Sequence, residues 1–296
     1  MEELGDVRLD EVMNTDTHAH TRPILVIGGN GKTGRRVAER LAAAGHPVRP
    51  VSRSTTPSFD WYDATTWPAA LAGTSRAYVT FQPDIGVPAA PTIIEAFGKA
   101  AAEHGLEQLV LLSGRGEPAA EACERILLES GVDTTIVRCS FFAQNFSEAF
   151  LVDAVVEGVI ALPAGDVGEP IIHVDDIAEV AVKALTETGH GGRVYELTGP
   201  QLLSFHEAAA ELSAATGREI VYLPVTPEQY IVAAIDAGVP PEEAEMLAEL
   251  FVHIFDGHNA TLTDGVTEAL GRPARDFADF AASAAAAGAW TTDQTQ

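Results

Sequence analysis

The chain of 296 residues is short of cations, thiols and long apolar runs, and each shortage removes a class of function. Eighteen Lys and Arg stand against 43 Asp and Glu, for a formal net charge of -25. A broad nucleic-acid surface is thereby excluded, because phosphate binding needs clustered cations that release counterions. Cys123 and Cys139 are the only cysteines; they build no disulfide framework and suit a reducing, cytoplasmic compartment. No apolar run approaches the roughly 20 residues of a membrane-spanning helix, so no membrane partner is expected. His253 and His258 lack the partners and spacing of a metal site, and no metal is expected. The opening stretch MEELGDVRLDEVMNTDTHAHTR has neither a basic start nor an apolar middle, and reads as a flexible extension (1–22) rather than a secretory signal.

What is present is enough apolar material for a substantial core, 46% of residues, arranged in alternating strand-like and helix-like segments. PILVIGG, HPVRPVSRS, RAYVTFQ, EQLVLLSG, DTTIVRCS and GRVYELTG read as strands, separated by helical stretches such as PTIIEAFGKAAAEHGL. The pattern predicts a Rossmann-type α/β fold: a doubly wound parallel sheet over residues 23–200, with its ligand cleft at the carboxyl ends of the strands. Residues 201–290 are mostly amphipathic helices and are expected to cap that cleft as a smaller substrate region, followed by a tail (291–296). No repeat or low-complexity linker separates the parts.

The first strand runs into VIGGNGKTGRRVAERL, where Gly28, Gly31 and Gly34 are spaced GxxGxxG between strand and helix. Glycine there permits a tight turn and close approach of backbone to a pyrophosphate, and the following helix aims unpaired N–H groups at it. Asn30, Lys32 and Thr33 belong to the same turn. Six of the eighteen cations (Lys32, Arg35, Arg36, Arg40, Arg49, Arg53) fall between residues 32 and 53, where Glu39 is the only acid. Directly after a glycine turn, this cluster reads as a local anion site. At the end of the second strand, where an Asp or Glu would accept bonds from the ribose hydroxyls of NAD, stand Arg53 and Ser54. A guanidinium there grips a 2'-phosphate, so NADP(H) is expected over NAD(H); Arg49 and Lys32 are the alternatives for that phosphate.

VIGGNGKTGRRVAERL, DWYDATTWPAALAG, LVLLSGRG, ESGVDTTIVRCSFFAQNF, VDDIAEVAVKAL and RVYELTGPQLLSF together resemble the NmrA-like group of atypical short-chain dehydrogenase/reductases. The resemblance runs from residue 23 to 290. Within the group it is nearest to bacterial relatives of the ergot-alkaloid (festuclavine or agroclavine) dehydrogenases, and more distantly to NADPH quinone reductases. It implies a Rossmann core, NADP(H), a substrate pocket between core and C-terminal part, and an oxidoreductase of the kind found in secondary metabolism. By the same resemblance, Phe81, Gln82 and Pro83 pass along the cofactor, Asp63 takes the acidic position near the adenine, and Ser113 takes the strand-end serine position.

The resemblance fails at the proton donor. Short-chain dehydrogenases pair Tyr with Lys four residues on, so that the phenol protonates the alkoxide left by hydride transfer. The three lysines here, Lys32, Lys99 and Lys183, follow Gly28, Glu95 and Glu179 at that spacing. Ordinary ketone reduction is therefore not expected. An iminium ion needs no acid, and a quinone or activated C=C bond yields an anion that solvent can protonate. Ser113 and Asn145 are then the candidate catalytic residues, and Phe141, Phe142, Phe146 and His173 the candidate walls for a flat aromatic or cationic small molecule. A homodimer is compatible with this reading. A non-catalytic NADP(H)-sensing regulator and a redox-neutral enzyme reusing the fold stand as alternatives.

Overall fold

The computed structural model describes residues 22–291; the N-terminal extension with its His-Ala-His triplet, and the tail beyond 291, lie outside the described residues. The order begins β1 (Ile24–Ile27), α1 (Lys32–Ala43), β2 (Val48–Val51), a 3-10 turn (Ala64–Thr66), α2 (Trp67–Leu71), β3 (Arg76–Val79), α3 (Ala90–Glu103), β4 (Gln108–Gly114), α4 (Pro118–Leu128) and β5 (Asp133–Cys139). It continues with α5 (Asn145–Glu148), α6 (Val152–Glu157), β6 (Val159–Leu162), α7 (Val174–Thr186), β7 (Val194–Leu197), α8 (Phe205–Thr216) and β8 (Val221–Pro224). The last helices are α9 (Pro227–Asp236), α10 (Pro241–Ile254), α11 (Gly265–Leu270) and α12 (Phe277–Ala286).

Six strands form one parallel sheet in the order β2-β1-β3-β4-β5-β7. Continuous apolar runs such as Ile24–Ile27 are what a strand covered on both faces requires. Alternation then decides which helices each residue meets. Leu25, Ile27, Leu109, Leu111 and Ile136 pack towards α2, α3 and α4. Ile24, Val26, Val110, Val137 and Leu197 pack towards α1, α7 and α11. The order reverses at β1, with β2 on one side and β3 on the other, and a crevice opens at the carboxyl ends of β1 and β3, where such sheets hold their ligands.

The third core cluster does not follow a boundary at residue 200. It joins Ala143, Phe146, Leu151, Val155, Ile160 and Leu162 to Phe205, Phe251, Phe277 and Trp290. The segment between β5 and α7 thus packs with the C-terminal helices, and its strand β6, not predicted from the sequence, pairs in parallel with β8. Conversely, Val266 and Ala269 of α11 return to the main sheet's core. Capping boxes start α8 (Ser204 with Glu207) and α9 (Thr226 with Gln229), satisfying their first N–H groups.

Candidate functional site

The glycine turn closes the crevice floor at the end of β1. Gly28 takes a left-handed conformation (φ +76°), and a Cβ on it would collide with the Thr80 hydroxyl. A Cβ on Gly34, inside the first turn of α1, would collide with the Gly28 carbonyl. Substituting either forces the helix off the strand. Gly31 precedes α1 without any side-chain cap, so the leading N–H groups of Lys32 and Thr33 carry no side-chain partner.

Most of the cation cluster does not face this turn, which corrects the expectation of a pooled anion site. Arg35 and Arg36 bind Glu148 of α5, each at 2.6 Å, while Arg36 and Arg40 bind Asp175 of α7 at 3.1 and 2.8 Å. Arg49 donates to the carbonyls of Ala70 and Ala72, which removes it as a phosphate ligand. Lys32 donates to Asn145 Oδ1 at 2.6 Å and lies 5.8 Å over the Phe142 ring, and burial lowers its pKa. These bonds tie α1 to α5 and α7. Arg53 alone of the six has no partner among the described residues.

Arg53 lines a cleft of about 450 Å³ together with Gly28, Ser52, Asp60, Trp61, Tyr62, Gln82 and Pro83. Beside it the Asn30 amide donates to Ser52 Oγ at 3.1 Å and reaches Ser54 Oγ at 3.5 Å, so an amide and two hydroxyls cluster at the end of β2. Asp63 is not in the cleft: its carboxylate caps the 3-10 turn through Thr65, and Asp60, three residues earlier, takes the lining position. Phe81 is wall rather than lining, buried at 5.0 Å from the Trp61 ring.

At the carboxyl end of β4 the expected catalytic serine is already occupied. Ser113 has the parity of Leu109 and Leu111, so it faces α4, where its hydroxyl donates to Glu124 at 2.6 Å. Arg138, its register partner on β5, forks onto the same carboxylate and reaches Glu196, which Arg115 binds at 2.6 Å. Arg115 also donates to Asn259 O, Thr261 O and Thr261 Oγ1. This network engages the Ser113 hydroxyl as a donor. Asn145, the other candidate, is buried with its oxygen held by Lys32.

The aromatic candidates divide. Phe141 is half-buried among Phe150, Phe205 and Phe255, with Phe150 about half exposed beside it. Phe142 lies under Lys32. Phe146 is fully buried and packs on Phe277, with its carbonyl bound by Trp290, so it is core. His173 caps α7, accepting from Asp175 N at 3.0 Å against Phe280, and burial lowers its pKa. Two acids escaped the sequence reading. Glu169 is buried, accepts from Phe141 N at 3.1 Å, and is pushed up by burial to about 7. Glu117, just before α4, is pushed up to about 8 by burial and by the Asp84 carboxylate beside it.

No protein-family model matches the chain. It is 34% identical over 289 residues to an NAD(P)H azoreductase of Xenophilus azovorans (89% of this chain, 98% of that protein). It is 33% identical over 278 residues to agroclavine dehydrogenase of Claviceps fusiformis (87% and 95%). Among solved structures it is similar to Citrobacter sp. triphenylmethane reductase complexed with NADP(H), with a TM-score of 0.76, 22% identity, and 88% and 99% coverage. It is also similar to NmrA, a negative transcriptional regulator, in complex with NAD, with a TM-score of 0.67, 17% identity, and 89% and 95% coverage. The chain belongs to the NmrA-like atypical short-chain dehydrogenase/reductases. In this NmrA-like protein the residues present fit NADP(H). Only glycine at positions 28 and 34 lets α1 pack this closely on the end of β1, the start of α1 offers a pyrophosphate N–H groups without a side-chain cap, and Arg53, unpartnered among the described residues, with Ser52, Ser54 and Asn30 matches a 2'-phosphate.

Proposed function

We propose that the protein is an NADPH-dependent reductase of a small organic acceptor that is electrophilic enough to take hydride without a tyrosine acid. An iminium C=N or conjugated C=C bond is the first choice, and a quinone the next. The observation that carries this reading is Arg53, a guanidinium without a counter-ion among the described residues beside a glycine cradle, while the cations of α1 are all paired. The names of its relatives, an NAD(P)H azoreductase and a clavine dehydrogenase, support both the reduced cofactor and an activated acceptor. When bound, the cofactor supplies hydride from its nicotinamide C4. The chain's own part is placement and selection. Arg53 and the α1 terminus hold the phosphates, Lys32 and Asn145 fix the floor between cofactor and C-terminal helices, and Phe141 with Phe150 offers aromatic edges to a flat substrate. The strongly acidic chain favours a cationic one.

Purified protein mixed with NADPH and a panel of iminium, quinone, azo and enone acceptors is expected to oxidise NADPH repeatedly with at least one class, and to prefer NADPH to NADH. NADPH binding without turnover on any of them would make the protein a sensor, and no binding of either dinucleotide would end the redox reading altogether.

A further inference from the structure

The turn between β4 and α4 holds a carboxyl pair that the cofactor site does not use. Glu117 folds back so that its two oxygens occupy the spaces where Cβ atoms of Gly114 and Gly86 would stand. Gly114 ends β4, directly after Ser113, and Gly86 lies in the loop after β3, whose Gln82 and Pro83 line the cofactor cleft. Asp84 reaches the same point, accepting from Gly86 N at 2.7 Å. Glu117 Oε2 is inaccessible to water and has no hydrogen-bond partner among the described residues; what it meets is Asp84. Two carboxylates so placed can bond only by sharing a proton. Other charged groups near the turn leave the pair uncompensated. Arg115 is committed to Glu196, His253 and His258 reach Gly116 from α10 and the loop after it, and Glu121 adds a negative charge one turn along α4. Although Oε2 is sealed, Glu117 and Asp84 as whole residues are only half-buried, so water reaches the rest of the pair and can restore the proton there. Glu169, whose pKa burial also raises, is by contrast only 3% exposed, accepts from Phe141 N and has the positive Arg115 nearby.

We propose that Glu117, sharing a proton with Asp84 and seated across Gly114 at the carboxyl end of β4, is the acid that takes the place of the absent tyrosine. The inference rests on the reductase reading above. For a conjugated C=C–C=O acceptor, NADPH held at the glycine turn would supply a hydride, the C4–H electron pair becoming the new C–H bond, and the acceptor would be left as an enolate. The Glu117 O–H bond then breaks, its proton goes to the enolate, and the carboxylate regains a proton from water. An iminium acceptor becomes a neutral amine on taking hydride and asks nothing of Glu117.

The test compares the two acceptor classes in wild type, Glu117→Gln and Asp84→Asn. With an enone, the wild-type rate is expected to fall as pH rises through about 8, because the acid must carry its proton. E117Q should abolish that limb and lower the enone-to-iminium rate ratio by about a hundredfold. D84N removes the neighbouring negative charge, so the limb should move to lower pH. In the cofactor-free protein, carboxyl-carbon NMR should show one glutamate titrating near 8, absent in E117Q and lower in D84N. An equal loss for both acceptors in E117Q, a limb that survives that substitution, or a limb that D84N leaves in place each overturns the proposal. Wild type that reduces iminium ions but no enone overturns it while sparing the reductase reading. Wild type that reduces nothing overturns both, and the NMR titration then reports only whether the shared proton exists.

Discussion

The two ends of the crevice leave opposite charges unanswered. At the β2 end a cation, Arg53, stands without an anion among the described residues, beside Ser52, Ser54 and Asn30. At the β4 end an acid, Glu117, stands without a cation beside Asp84. Between them the charges are matched: Arg35 and Arg36 with Glu148, Arg40 with Asp175, Arg138 with Glu124. Unmatched charge near a cleft costs stability, so on the proposed function it marks what a ligand would supply, a phosphate at one end and a proton-accepting substrate at the other. Glu117 and Glu124 sharpen the point, since they lie seven residues apart yet stand in opposite settings. Glu124 receives Ser113 and two nitrogens of Arg138; Glu117 receives another carboxyl.

The comparison breaks first at the cradle between the two ends. Gly34→Val drives a branched side chain into the Gly28 carbonyl, and NADPH binding should fall below detection in a calorimetric titration while the far-UV circular dichroism keeps its α/β signature. Retained micromolar binding would show that the turn does not carry the pyrophosphate. Next come the two glutamates. Glu124→Ala leaves Arg138 half-answered and Ser113 unbonded, and should cost about 3 kcal/mol in urea unfolding, the low end for breaking a buried pair because Arg138 keeps Glu196. Glu117→Gln should change stability by no more than about 0.5 kcal/mol, since the amide is nearly the shape of the protonated carboxyl it replaces and breaks no ion pair. Equal costs for the two would erase the contrast between them.

Much of this was readable in the chain. The six main-sheet strands stand out as short strand-like segments between helical ones, though β2 and β7 carry Arg49 and Glu196, and the glycine turn and Arg53 lie within 30 residues of one another, where local spacing suffices. What could not be read is pairing across distance. Lys32 meets Asn145 and Arg36 meets Glu148 more than a hundred residues away, so a run of cations that looks like an anion site is in fact the seam between α1, α5 and α7. Ser113 looked free until α4 brought Glu124 over it, although the shared parity of Ser113 and Leu111 pointed to that helix. Asp60 and Asp63 are both plausible by position, and only the 3-10 turn decides that Asp63 is a cap. β6 is four residues long and meets its partner β8 only through the C-terminal packing. Glu117 was hidden in a plain helix start, though a glutamate between Gly116 and Pro118, where Ser, Thr, Asp or Asn usually caps, was a signal.

The central claim is that Arg53 waits for a 2'-phosphate, and the direct measurement is titration of wild type and Arg53→Ala with NADPH and with NADH. Loss of a charge-assisted bidentate contact worth about 1.5–3 kcal/mol should weaken NADPH by about ten- to a hundredfold. NADH, which has no phosphate there, should change by less than about twofold. Equal weakening of both dinucleotides, or no change in either, would contradict the account.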